Sequence, residues 1–192
     1  MLPMILERWD LKHKPVLLMR HPLDVVTSQV KAFGARPVDL DLEHDYAEHE
    51  LLHEHWGRVK EISDPVERQL HLWCLLNAPL WEAYAQSDDV IAVHYHDLIL
   101  DPEHRLKDIL HQLAWQPIRP FEDWSLDAFV AGLDLRATSD TDFKGDFLVN
   151  QQDQLWKNIK RLTPEGKKRY QDVFDTYGLT LYSMHEVKPR LA

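Results

Sequence analysis

One stretch, PVLLMRHPLDVVTSQ from Pro15 to Gln29, constrains the fold more than any other. Its first five residues, Pro15 to Met19, form an unbroken apolar run with the length of a strand covered on both faces. Pro22 suits the first position of a helix, because its missing N–H would have no partner there. Asp24 then falls in the first turn, where the helix dipole favours negative charge. Arg20 is thereby placed at the carboxyl end of a strand and directly ahead of a helix, the edge of an open α/β sheet where ligands bind. Its guanidinium offers a rigid fork of donors suited to phosphate. Ser28 follows Asp24 by one helical turn and can offer its hydroxyl to the same anion, and backbone amides at the helix start would add donors. The competing reading pairs Arg20 with Asp24 and leaves Ser28 an ordinary helix residue.

Further along, three helix starts carry one signal, a capping residue followed by proline. They are Asp64-Pro65, with Glu67 three after the cap, Asp101-Pro102 and Thr163-Pro164. After the first, Leu70, Trp73, Cys74, Asn77, Trp81 and Tyr84 fall on one helical face. Pro79 interrupts that pattern and predicts a kink or break near Asn77. The stretch DVIAVHY, Asp89 to Tyr95, has the character of a short strand. The helix from Pro102 puts Leu106, Ile109, Leu110 and Leu113 at core spacing, and the last helix does the same with Tyr170, Val173, Phe174 and Tyr177 before Gly178 stops it. Between about Pro117 and Leu162 the signals weaken to short helices and loops. The order strand, helices, strand, helices predicts an α/β architecture with a parallel sheet flanked by helices. Two strands are too few for a covered sheet, so the sheet lacks strands that this sequence does not supply.

Bulk properties narrow the function classes. The 192 residues, 44% hydrophobic and 28% charged, suggest one domain with a real core. No run of about 18 apolar residues exists, which argues against a membrane span. The N-terminal MLPMILERWDLKHK lacks the pattern of a secretory signal. The single cysteine, Cys74, excludes an internal disulfide and points to a reducing cytoplasm. A net charge of −10 argues against nucleic acid as a partner, and any anionic ligand must be held by locally placed donors.

The segment MRHPLDVVTSQV resembles the 3′-phosphate-binding motif of sulfotransferases that use 3′-phosphoadenosine 5′-phosphosulfate (PAPS), in the form found in bacterial members. That motif has an arginine at a strand end, a proline two later, an acidic residue, and a serine eight after the arginine. Arg20, Pro22, Asp24 and Ser28 match these in order. The resemblance continues in VIAVHYHDLILDPEHRLKDILHQLAW, where Tyr95, His96, Asp97 and Leu98 occupy a Tyr-Glu-Asp-Leu type element with histidine in place of glutamate. LWKNIKRLTPEGKKRYQDVFDTYG resembles the family's tryptophan-basic segment and closing helix, and LPMILERW its lead-in to the motif strand. The resemblance implies transfer of a sulfuryl group from PAPS to an acceptor hydroxyl or amine on a small molecule or glycan. The implied fold is α/β, like that of P-loop nucleotide kinases. It also implies that Arg20 and Ser28 hold the 3′-phosphate, and that Lys144-Gly145 in FKGDF corresponds to a late basic-glycine cofactor element, with Phe143 where the family has arginine.

The family's first strand and its Gly/Ser/Thr-rich phosphosulfate loop find no counterpart among the six glycines here, and the usual catalytic base would lie upstream of Arg20. Residues 1–192 are therefore expected to form a single sulfotransferase-like domain, N-terminally incomplete, with no catalytic residue identified. Truncation, a partner chain supplying the rest, or a degenerate inactive protein would each account for this. A non-catalytic 3′-phosphoadenosine nucleotide-binding protein is one alternative. A zinc hydrolase is another, because His49-Glu50-Leu51-Leu52-His53 fits the H-E-x-x-H pattern. That segment lacks an evident third ligand, so no metal is assigned, although His44, His49 or His53 could instead line an acceptor site. Cys74 and most of the seven tryptophans are expected in the core, and self-association is left open.

Overall fold

The computed structural model describes residues 6–8, 10–34, 50–113, 125, 128 and 151–190, with backbone alone at 50–53, 56 and 151–154. The chain is α/β, mostly helical, with a small two-stranded parallel sheet. It packs as two compact units, Met1–Met19 with Gln86–Leu155, and Arg20–Ala85 with Trp156–Ala192.

The first unit holds the sheet. Strand β1, Val16–Met19, pairs in parallel with β2, Ile91–His94, from Val16 opposite Ile91 to Met19 opposite His94. The ladder is extended by Ile91 N–H, which donates to Pro15 O at 2.9 Å. A parallel pair cannot be closed by a tight turn and requires a long crossover, which here is the chain from Arg20 to Ser87 and beyond. Both strands lie where their apolar runs predict them, but β1 is not covered on both faces. Val16 and Leu18 are 46% and 54% exposed, while Met19 is fully buried. Side chains alternate along a strand, so an unbroken apolar run leaves one face open when only one is covered. In β2, Ile91, Val93 and His94 are all buried. Two helices pack against that strand, α4 over Tyr95–Leu100 and α5 over Pro102–Gln112, the labels following chain order. Asp101 caps α5 by accepting from His104 N–H. The apolar stripe of α5 at Leu106, Ile109 and Leu110 is half-buried rather than core.

The second unit is helical. It comprises α1 (Pro22–Phe33), α2 (Glu50–Val59), α3 (Pro65–Tyr84), the end of α6 (Gln151–Lys160) and α7 (Pro164–Thr176). Helices α1, α2 and α7 all pack on α3. This explains why its burial exceeds the single face expected from spacing. Every residue from Leu70 to Leu75 is buried, and Ala78 and Trp81 continue the contact. A helix wrapped by several neighbours needs apolar residues most of the way round. Trp73 and Trp81 meet edge-to-face at 4.5 Å, and Trp81 also meets Tyr182 at 5.5 Å. Of the kink or break predicted near Asn77, the break does not occur, because α3 runs continuously from Pro65 to Tyr84. Pro79 removes one helical N–H, and packing on several sides offsets a loss of that size. Beyond α7, Gly178 adopts φ 64° and Leu179 N–H returns to Phe174 O at 3.0 Å, the left-handed stop expected of a glycine there. The segment after it is clasped by Glu82, whose carboxylate accepts from Thr180 N–H, Thr180 Oγ1 and Leu181 N–H at 2.7–2.9 Å.

Asp64 ties the start of α3 to α7. One carboxylate oxygen accepts from Val66 and Glu67 N–H, and the other from Arg169 Nη2 at 2.5 Å and Tyr170 Oη at 3.2 Å. Asp64→Ala removes the cap and strands the Tyr170 hydroxyl, so it should cost about 2 kcal/mol in denaturant unfolding. Asp64→Asn keeps a capping oxygen and should recover roughly half of that. Equal losses in the two variants would show that the charge, not the cap, carries the stability.

Candidate functional site

The site singled out by sequence lies where β1 gives way to α1. Met19 ends the strand and Pro22 is the first residue of the helix, so Arg20 and His21 form the whole connection. Pro22, Leu23, Asp24 and Val26 are buried, which fixes the first turns of α1 in the second unit. Arg20 is half-buried, with its Nε inside the protein, and Ser28 is exposed two turns into the helix.

Sequence reasoning missed the residue that organises this turn. His21 is the N-cap of α1 and is only 4% exposed. Its Nδ1 accepts from Leu23 N–H at 3.3 Å, so the proton resides on Nε2, which donates to the carbonyl of Ser183 at 3.0 Å. The ring is held between Tyr182, edge-on at 5.3 Å, and Phe174 at 5.9 Å. Burial lowers the His21 pKa below its ordinary value, opposed by the charge of Asp24 and the Ser183 bond and assisted by Arg20. A protonated ring would turn Nδ1 into a donor facing the Leu23 N–H, so the cap requires the neutral imidazole. The signal in sequence was only position, since a residue just before a helix-opening proline is a cap. Histidine is not among the favoured caps.

His21 also corrects one expectation about the site. Its carbonyl accepts from Asp24 N–H at 2.9 Å and Val25 N–H at 3.2 Å, while its ring takes Leu23 N–H. Pro22 has no N–H. The backbone amides at the helix start are therefore occupied internally and do not add donors for an anion. Asp24 is likewise committed within the protein, accepting from Asn158 Nδ2 of α6 at 2.6 Å. Buried at 4% exposure, this carboxylate needs such a donor and also gains from the helix dipole. Of the four motif residues, Pro22 and Asp24 are buried and structural, Arg20 is half-buried and Ser28 is exposed.

At the end of β2, His94 is buried with its pKa lowered to about 4 by burial first and by neighbouring His96 second. The two rings lie 5.9 Å apart. His96 Nε2 contacts Asp97 Oδ1 at 2.7 Å, and Arg105 of α5 bonds Asp97 Oδ2 at 3.0 Å. The Tyr95–Leu98 element thus lies in a short helix whose histidine and aspartate join one polar network with Arg105. Elsewhere, His71 of α3 has its pKa lowered to about 4 by burial first, then by Arg58 and His55. Its Nδ1 lies 3.1 Å from Tyr177 Oη, and His55 packs edge-on to the same tyrosine at 5.1 Å. Cys74 is fully buried, and burial pushes its thiol far up, as expected for a core residue.

Lys144 and Gly145 lie outside the described residues, as do His44 and His49. Of Glu50 and His53 only the helical backbone of α2 is described. Among the described residues, no three His, Cys, Asp or Glu side chains are grouped to hold a metal ion, and no helix is long and apolar enough to cross a membrane. No protein-family model, curated protein or solved structure matches the chain.

Two of the buried histidines contribute to the pH dependence of stability. Both His71 and His94 titrate near 4 in the folded chain, against 6.5 unperturbed. The unfolded chain therefore binds more protons between those values, and the stability that neutral burial confers above about pH 6.5 is lost as pH falls toward 4. Each histidine should cost roughly 1.4 kcal/mol per pH unit over that window. Urea unfolding at pH 7.5 and pH 5 should show a clear drop in midpoint, and His71→Gln should flatten it. An unchanged midpoint would contradict neutral burial.

Proposed function

We propose that the chain is a PAPS-dependent sulfotransferase, or a substantial part of one, in which Arg20 and Ser28 hold the 3′-phosphate of the nucleotide. One observation carries the reading. A guanidinium stands in the two-residue turn between a parallel strand and a helix, and an exposed hydroxyl stands further along that helix. The two side chains suit a phosphate dianion, because one supplies charge and a planar fork and the other a neutral donor. With the helix-start amides occupied by His21, selectivity for a 3′-phosphate rests on these side chains.

In this reading PAPS supplies the sulfuryl group when bound, and the acceptor is a hydroxyl or amine on a small molecule or glycan. Arg20 neutralises and orients the 3′-phosphate. Ser28 donates one hydrogen bond to it and so helps distinguish the nucleotide from those that lack this group. Buried Asp24 and Asn158 keep the helix that carries Ser28 in place. Lys144 and Gly145 remain proposed as a second cofactor contact. The P-loop-related fold and a cytoplasmic location belong to the same proposal, the latter resting on the lone cysteine.

Calorimetric titration with 3′,5′-ADP, with 5′-AMP as control, tests it. The protein should bind 3′,5′-ADP at least tenfold more tightly. Arg20→Ala should weaken that binding by about 10- to 100-fold, the worth of a charge-assisted contact, and leave 5′-AMP unaffected. Ser28→Ala should cost about fivefold, the worth of a neutral hydrogen bond. Equal affinity for the two nucleotides would overturn the reading. Binding without formation of a sulfated product from PAPS and simple phenol or amine acceptors would favour the non-catalytic nucleotide-binding alternative.

A further inference from the structure

We infer that His21 is a positioning residue for Arg20, a clasp between α1 and the C-terminal segment that sets where the guanidinium is presented. The inference rests on the proposed 3′-phosphate role of Arg20. His21 precedes the helix and directly follows Arg20, so its backbone sets how the arginine is placed relative to α1. That backbone is fixed at φ −51°, ψ 124° by contacts on every part of the residue. The ring closes the Leu23 N–H on one side and reaches the Ser183 carbonyl, 162 residues away in sequence, on the other. Phe174 of α7 and Tyr182 pack against its faces and edges, and its own carbonyl takes the next two helix amides.

The segment receiving this contact is itself rigidly held. Leu179, Leu181, Tyr182, Ser183, Met184 and Val187 are buried, and Glu82 grips the chain at Thr180 and Leu181. Ser183 and Glu186 add a bridge, and Met184 N–H donates to Gln171 of α7 at 2.9 Å. The residue next to Arg20 is thus braced against the far end of the sequence. A guanidinium pays little entropy to bind phosphate when its point of attachment cannot move. His21 touches no ligand in this scheme and acts only through its neighbour.

The test compares the ratio of the 5′-AMP and 3′,5′-ADP dissociation constants in the parent, His21→Ala and His21→Asn. This ratio isolates the contribution of the 3′-phosphate, which a merely structural loss would not change. In His21→Ala the ratio should fall by about tenfold or more, equivalent to about 1.4 kcal/mol, with 5′-AMP binding kept. Asparagine is a preferred helix cap but is too short also to reach the Ser183 carbonyl, so His21→Asn should recover part of the stability lost in His21→Ala while its ratio stays lowered. If His21→Ala does not fold, Tyr182→Leu, which loosens the ring and keeps the cap, should lower the ratio in the same direction. A parent that fails to prefer 3′,5′-ADP overturns the proposed function and this inference together. A parent that prefers it, with the ratio unchanged in the folded variants, overturns the inference alone.

Discussion

The neutral imidazole of His21 is the constraint on which the helical unit turns. It caps α1 through one nitrogen and binds the Ser183 carbonyl through the other, so the beginning and end of the sequence meet at one buried ring. Hydrogen bonds of this kind contribute only about 1 kcal/mol net when made, yet leaving either partner buried and unmet costs more. The ring therefore acts as a condition on the fold. The C-terminal segment and the first turn of α1 meet at this ring, and each helps to hold the other in place.

Much of this was legible in the residues, and for local reasons. Asp64-Pro65 and Thr163-Pro164 opened helices because a side-chain oxygen and a proline satisfy the same few backbone groups wherever they occur. Gly178 closed α7 because a left-handed residue is easiest for glycine. Both strands were visible as apolar runs of the right length. What escaped was set by distant neighbours. The role of His21 depends on a carbonyl 162 residues on, and the continuity of α3 through Pro79 depends on the helices that wrap it. The open face of β1 at Val16 and Leu18 was hidden because an apolar run does not reveal how many layers cover it. At the candidate site, the positions of Arg20 after the strand and Ser28 on the helix could be read from type and spacing, but the fate of the helix amides and of Asp24 required the tertiary structure.

The histidines show how one residue type is used apart from metal chemistry. His21, His71 and His94 are each buried, and burial holds each below its usual pKa. As neutral rings they can both donate and accept, which suits them to join elements that present unlike backbone or side-chain partners. His21 joins an amide to a carbonyl, and His71 meets a tyrosine hydroxyl.

Cys74 has a practical consequence. The sole thiol of the chain lies sealed at 0% exposure within the most enclosed turn of α3, and burial disfavours the reactive thiolate. Alkylating reagents can reach it only when α3 is uncovered. Its labelling rate under native conditions is therefore a built-in gauge of how often the helical unit opens, with no engineered probe required.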